Sequence, residues 1–67
     1  MIQTRFGTPV TIISRHHDYA ETGWVDVMLP GGASKSVQVH DLRADGGARE
    51  IDEAARQAPE RPTNLPV

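Results

Sequence analysis

The sequence predicts a mainly β fold, a small antiparallel barrel followed by a short C-terminal helix and a flexible tail. Three short runs rich in Val, Ile and Thr carry this prediction: Val10–Arg15, Trp24–Leu29 and Lys35–His40. Turn residues separate the runs, most clearly at Pro30-Gly31-Gly32, where a hairpin turn is expected. Short β-type runs between turn residues are typical of compact all-β modules. We therefore assign the barrel to residues 1–44, the helix to 45–58 and the tail to 59–67.

Alternation along the runs predicts which side chains face the core, because successive residues of a strand point to opposite sides. The predicted core is a set of aliphatic side chains: Val10, Ile12, Val25, Val27, Leu29, Val37, Val39 and Leu42. The opposite side of the central hairpin is then the expected contact surface, formed by Trp24, Asp26, Met28, Gln38 and His40. For Trp24 a second interpretation stays open, in which it packs beneath the helix around Ile51.

Two further segments complete the chain. Residues 16–23 are polar, lack strand periodicity and end on Gly23, so they are interpreted as a loop that contributes Tyr19 as another candidate binding residue. Residues 48–58 have a thin apolar stripe at helical spacing, in which Ile51 is the large side chain. Pro59 should end this helix. The helix is expected to lean on the barrel or on a partner, and the proline-rich residues after it to be flexible.

The order of these segments resembles the small SH3-like barrels, with two strands around a polar loop, a Gly-rich hairpin and a Val-x-Val strand before an Asp-Leu turn. A shorter resemblance lies within the third run. Ser36-Val37-Gln38-Val39-His40 is similar to the Ser-Val-Gln-Ile-Tyr strand of the plasmid-encoded type II dihydrofolate reductases, which assemble as tetramers around a central pore. That resemblance implies a pore-lining role for Gln38, Val39 and His40.

The composition of the chain limits the classes of partner that it is expected to bind. The net charge is −2, with four basic and four acidic residues in 1–44 and the acidic excess after Ala44. A balanced barrel and an acidic tail argue against a nucleic-acid partner, since such binding depends on clustered Lys and Arg. No apolar run approaches the length of a membrane span, so no membrane partner is predicted and a soluble protein is expected. With 0 cysteines no disulfide can stabilise the fold, which fits a cytoplasmic location and makes a homo-oligomer a physical remedy for a thin core.

The three histidines raise the question of a metal site. His16, His17 and His40 offer nitrogen ligands, but neighbouring strand residues point to opposite sides and the spacing matches no metal motif. A solvated loop is the simpler interpretation. We therefore predict no metal, no cofactor and no catalytic residue.

The function predicted from the sequence is that of a non-catalytic interaction module that binds a protein partner or itself. Two alternatives remain open at this point. One is an oligomeric pore-type reductase, implied by the resemblance to type II dihydrofolate reductase, and the other is a weak nucleic-acid-binding module. The partner, the oligomeric state and the pathway are not predicted.

Overall fold

A computed structural model of the chain describes residues 1–61. The strands, with the residues that bound them, are β1 (Ile2–Thr4), β2 (Thr11–Arg15), β3 (Trp24–Met28), β4 (Ser34–Gln38) and β5 (Leu42–Ala44). The helices are the single turn α1 (Tyr19–Thr22) and α2 (Gly47–Gln57), and a 3₁₀ turn occupies Val39–Asp41. The chain is therefore β-rich with one substantial helix, as predicted.

The strands form two antiparallel sheets, one of β1 and β5 and the other of β2, β3 and β4 in that order. At one side the sheets are joined, because Gln3 bridges Pro9 and the Val10 N–H donates to the Ile2 carbonyl over 3.0 Å. At the other side, within residues 1–61, no strand pairing connects β4 to β5. The β-rich part of the prediction is thus confirmed as two joined antiparallel sheets, and within residues 1–61 strand pairing does not close them into a barrel.

One core lies between the sheets and α2. Val25 and Val27 on β3 are fully buried, because their side chains point to the inner face of this central strand, which the rest of the core covers. Ile51 and Ala55 of α2 belong to the same cluster. The eight predicted core residues all take part: Val10, Val25, Val27 and Leu42 are buried, and Ile12, Leu29, Val37 and Val39 are partly buried against them. The inward valines of the hairpin are confirmed, and the helix packs on the strands of its own chain.

The hairpin between β3 and β4 is formed where the glycines allow it. Gly31 and Gly32 both have φ of 95°, a conformation that side chains disfavour. The Gly32 N–H donates to the Leu29 carbonyl over 3.1 Å, and the Leu29 N–H donates to the Ala33 carbonyl over 2.6 Å. The predicted turn is therefore confirmed, and it sets the β3–β4 register that pairs Asp26 with Ser36.

Several boundaries differ from the prediction. β2 contains a bulge between Ile12 and Ser14, which changes the side to which Ser14 points. β4 ends at Gln38, because the chain turns into the 3₁₀ segment at Val39. The polar loop after β2 contains α1, whose end is marked by Gly23 with φ of 75°. The prediction that the third strand reaches His40 was wrong.

The chain after α2 also behaves differently from the predicted tail as far as it is described. The Arg15 N–H donates to the Pro59 carbonyl over 3.0 Å, and the Arg61 N–H donates to the Arg15 carbonyl over 2.6 Å. The Arg15 guanidinium donates to the Ala58 carbonyl as well, which satisfies a carbonyl at the helix end. Residues 59–61 thus lie along the end of β2. The remainder of the predicted tail, 62–67, lies outside the described residues.

Candidate functional site

The outer side of the three-stranded sheet is a regular surface formed by three rows of three side chains. Since Val25 and Val27 are buried, the other residues of β3 point outward. Pairing to β2 and β4 then places a neighbour on each side of every one of them. We call this surface the open face; its rows are Thr11, Met28 and Ser34, then Ser14, Asp26 and Ser36, then His16, Trp24 and Gln38.

Asp26 lies at the centre of the open face, and its side chain is only 14% exposed. Its carboxylate accepts hydrogen bonds of 2.7 Å from both Ser14 Oγ and Ser36 Oγ, and His16 Nε2 lies 3.1 Å from Oδ1. Because a carboxylate only accepts, Nε2 must carry the proton in that contact. Arg61 adds an ion pair at 3.7 Å. The charge of Asp26 is thus compensated within its own chain.

The acidity of Asp26 follows from these contacts. Partial desolvation opposes ionisation of the carboxyl, but the hydrogen bonds from Ser14, Ser36 and His16 favour the charged form and outweigh it. Together they hold the pKa of Asp26 below the ordinary value of an aspartate carboxyl. The group is therefore a carboxylate at neutral pH and has no proton to donate in general acid chemistry.

Ser, His and Asp meet here, but their geometry differs from that of a nucleophilic site. A serine nucleophile needs a base that accepts its proton, with the carboxylate on the far side of that base. Here Ser14, Ser36 and His16 all direct their donors at the same carboxylate. The carboxylate therefore holds three strands together at one point, and nothing in the arrangement activates a hydroxyl.

The two ends of the open face are apolar. Trp24 is 36% exposed and stacks on His16, with ring centroids 6.2 Å apart and planes inclined by 29°. Met28 is 43% exposed between the short side chains of Thr11 and Ser34. Trp24 therefore lies on the side of β3 opposite to the buried core of Val25 and Ile51, and the interpretation that it packs beneath the helix was wrong.

Tyr19 and His40 do not lie on the open face. Tyr19 Oη donates to Asp52 Oδ1 over 2.7 Å, and Arg56 Nε donates to the other oxygen of Asp52 over 2.8 Å. Desolvation, and then the bond to Asp52, raise the pKa of Tyr19 to about 12. His40 lies in the 3₁₀ turn and shares with Tyr19 a cavity of about 250 Å³ beside α2. The predicted binding residues are thus divided between two sides of the molecule.

The residues implied by the reductase resemblance also separate. Gln38 is the last residue of β4, and its Nε2 donates to the Thr22 carbonyl over 3.1 Å. Val39 and His40 belong to the 3₁₀ turn, so their side chains do not continue the alternation of the strand. The three residues therefore do not lie along one strand in this chain.

His40 lies apart from the other two histidines. His16 is engaged by Asp26 on the open face and lines one cavity together with its neighbour His17, whereas His40 lies in the 3₁₀ turn. Within residues 1–61, no group of three or more His, Asp or Glu side chains is arranged to hold a metal ion, and no helix is long and apolar enough to cross a membrane.

Sequence reasoning missed four residues that surround Asp26: Ser14, Ser36, His16 and Arg61. Simple alternation gives Ser36 the outer side, so this contact was available from the register of the predicted hairpin. The contact between Ser14 and Asp26 could not be predicted in this way, because alternation without the bulge places Ser14 inward with Ile12. Arg61 reaches Asp26 only because the chain after α2 returns to β2.

The open face, taken as a whole, offers a surface for contact, with a shallow cavity beside Asp26 that Ser14, Ser36 and Arg61 also line. It presents two exposed apolar side chains, Trp24 and Met28, on either side of a compensated carboxylate, with short hydroxyl-bearing neighbours at the flanks. Comparisons with known proteins point to no relative whose function could be compared, because the chain matches no family model, no curated protein and no solved structure.

Proposed function

We propose that this protein is a non-catalytic interaction module built on a small SH3-like barrel, and that it associates with a second copy of itself through the open face. The observation that carries the proposal is the exposure of Trp24 and Met28 on a regular strand surface whose central, partly covered charge is already compensated by hydrogen bonds. Covering such a surface costs little free energy of desolvation, and it buries apolar side chains.

The barrel is supported by the way the two sheets share one core. Residues from both sheets and from α2 belong to a single cluster, and β1 connects them through the Gln3–Pro9 bridge. The order in space from β5 to β1, and then from β2 through β3 to β4, follows from these pairings. This is the arrangement expected of a small barrel that stays open at one seam.

The open face is suited to a symmetric pair. Trp24 and Met28 are four positions apart on β3, which corresponds to about 14 Å, and Asp26 lies midway. A two-fold axis over Asp26 brings Trp24 of one copy onto Met28 of the other, and a thioether against an indole ring is a favourable contact. The two Asp26 carboxylates meet near the axis, but each is largely covered by its own hydroxyl donors.

The small size of the core is the reason that association should stabilise this protein. Within residues 1–61 the largest fully buried side chains are Val25 and Val27, and α2 contributes Ile51 and Ala55 as its buried residues. Domains of this size bury a small share of their surface and are marginally stable when no disulfide or metal helps. Covering Trp24 and Met28 with a second copy adds buried apolar area without lengthening the chain.

Sedimentation equilibrium from low micromolar to millimolar concentration tests the proposal. We expect a reversible dimer, weakened about fivefold or more by Met28→Ala, since an apolar interface anchor is typically worth more than about 1 kcal/mol. Phe6→Ala is the matched control, because Phe6 is 82% exposed but lies outside the open face. Both variants, and His40→Ala, should melt within a few degrees of the wild type at a concentration where all are monomeric.

Two results would contradict this proposal. One is a wild-type protein that remains monomeric at millimolar concentration. The other is a dimer that Met28→Ala leaves unchanged while Phe6→Ala weakens it, which would place the interface elsewhere. A large loss of stability in monomeric Met28→Ala would mean that the two faces of the hairpin are assigned incorrectly.

A further inference from the structure

Strand β4 is the free edge of the three-stranded sheet. It pairs with β3 along its whole length, from Ser34 opposite Met28 to Gln38 opposite Trp24. Within residues 1–61 no strand pairs with its other side. A free edge presents backbone donors and acceptors that another chain can use, which is why edges are common docking sites for extended segments.

The hydrogen-bond pattern shows which residues of β4 present these groups. The Leu29 N–H donates to the Ala33 carbonyl, and the Val39 N–H donates to the Gly23 carbonyl, at the two ends of the β3–β4 ladder. Hydrogen-bonded pairs alternate in an antiparallel ladder. Lys35 and Val37 therefore direct their backbone groups to β3, whereas Ser34 and Ser36 direct theirs outward. No backbone hydrogen bond from elsewhere in residues 1–61 reaches those outward groups.

A cavity of about 250 Å³ lies next to this edge, at the open seam between β4 and the β1–β5 sheet. Leu29, Val37 and Leu42 give it an apolar floor, and the turn after β1 forms its far wall. Val37 lies on the inner side of β4, so a strand added to the edge would place every second side chain toward the cavity. The edge and the cavity thus form one elongated site.

The rim of the cavity carries positive charge. Arg5 and Lys35 both line it, and the Arg5 guanidinium lies 4.9 Å from the ring centre of Phe6. Arg5 has one distant ion-pair contact, 4.0 Å to Asp41, and Lys35 takes part in none of the ion pairs within residues 1–61. Asp41 also lines this cavity, so its two cations outnumber one carboxylate, and this excess of positive charge favours an acidic ligand.

We propose that the β4 edge binds an extended acidic segment of a partner protein by strand addition. The backbone of the segment pairs with Ser34 and Ser36, an apolar side chain enters the cavity over Val37, and a carboxylate two positions away meets Lys35. The two-residue spacing follows from β4, where Lys35 and Val37 are also two positions apart on one side. A lysine at a sheet edge discourages neutral or basic strands from pairing, so the same residue that favours an acidic segment rejects other strands. This site uses the outward backbone groups of β4 and the cavity over Val37, whereas the proposed dimer uses the side chains of Trp24 and Met28, so it does not depend on self-association.

The probe is a blocked synthetic peptide, Thr-Asp-Thr-Val-Thr-Asp-Thr, whose symmetry allows either strand direction. Titration into the isotope-labelled full chain, followed by backbone amide shifts, should perturb Ser34 to Val37 and the cavity residues with sub-millimolar affinity. A peptide with Lys in place of both Asp residues should bind at least tenfold more weakly. An oligodeoxythymidylate of similar length serves as the nucleic-acid comparison.

Ser36→Pro and Ser36→Ala form the decisive pair of variants. Proline removes the outward N–H of residue 36, which the β3 ladder does not use, while alanine keeps that N–H and removes only the hydroxyl bond to Asp26. We expect Ser36→Pro to bind the peptide roughly three- to tenfold more weakly than Ser36→Ala, the effect of one lost hydrogen bond. Lys35→Glu should reverse the preference between the Asp and the Lys peptides.

Melting curves of Ser36→Pro and Ser36→Ala, recorded without peptide, establish that both variants are folded before they are compared. If Ser36→Pro proves unfolded, Lys35→Glu decides alone, because Lys35 is exposed and its replacement leaves the ladder intact. Equal affinity of a folded Ser36→Pro and Ser36→Ala would overturn the proposal. So would shifts confined to Trp24 and Met28, no binding at millimolar peptide, or low-salt binding of the oligonucleotide in place of the peptide.

Discussion

The two sides of β3 carry opposite kinds of chemistry on one five-residue strand. Toward the core, Val25 and Val27 are fully buried and fill space with aliphatic groups. Toward the open face, Asp26 is held by side chains from both neighbouring strands, while Trp24 and Met28 stay exposed. The inner side therefore stabilises the fold by packing, and the outer side by hydrogen bonds at one central point. Mutations on the two sides should therefore differ in how far they lower the free energy of unfolding, and in whether that loss depends on pH.

The largest loss of stability is expected from Val27→Ala on the inner side of β3. Removing two methyl groups from a fully buried position leaves a cavity between the sheets, and should lower the free energy of unfolding by about 2 to 3 kcal/mol. Met28→Ala removes a larger side chain from the next position, yet should cost less than about 0.5 kcal/mol. Urea unfolding of both variants at low micromolar concentration measures the difference. Equal losses would show that the outer side is packed as tightly as the core.

A smaller effect, which depends on pH, is expected from Asp26→Asn. At pH 7 the change weakens charge-assisted hydrogen bonds from Ser14, Ser36 and His16, and should cost about 1 to 2 kcal/mol. The pKa of Asp26 is lower in the folded state than in the unfolded chain, so its stabilising contribution is present above the unfolded pKa and is lost as the pH falls through the folded pKa.

The measurement is the free energy of unfolding of the wild type and of Asp26→Asn between pH 7 and pH 2. The difference between the two should narrow below about pH 4, where the carboxyl of the unfolded wild type begins to protonate, and should be lost as the pH falls through the folded pKa. Ser14→Ala is a suitable control, since it removes one donor but leaves the carboxyl in place. A difference that stays constant down to pH 2 would mean that the charge of Asp26 contributes nothing to the fold.

The smallest loss of stability is expected from Tyr19→Phe, at the helix side of the core. Its hydroxyl bond to Asp52 ties α1 to α2, and such a bond is worth about 1 kcal/mol. The pKa of Tyr19 is raised to about 12 in the folded protein from 10.0, so the bond contributes fully below pH 10 and its contribution is lost as the pH rises toward 12. The stability difference between the wild type and Tyr19→Phe should therefore shrink between pH 10 and pH 12. A difference that grows over this range would show that ionised Tyr19 is favoured in the fold.

Much of this comparison was available from residue order alone. Alternation in Trp24–Met28 predicts both sides of β3, and Pro30-Gly31-Gly32 predicts the turn that sets the register of β4. The apolar stripe around Ile51 likewise predicts a helix that needs a surface to pack on. These features depend on backbone geometry over a few neighbouring residues, which is why a single sequence is enough to indicate them.

Only the tertiary structure decided where the candidate sites lie. The bulge that turns Ser14 outward, and the return of Arg61 to Asp26, result from strand pairing and from packing between distant segments. The 3₁₀ turn that takes His40 off the open face interrupts a pattern that continues unbroken in the sequence. The seam, at which the outer edge of β4 has no strand partner within residues 1–61 and lies beside a cavity, is a property of how two sheets meet. Alternation determines which way a side chain points on a strand, but the length of the strand and the neighbours it meets depend on contacts that are far apart in the chain.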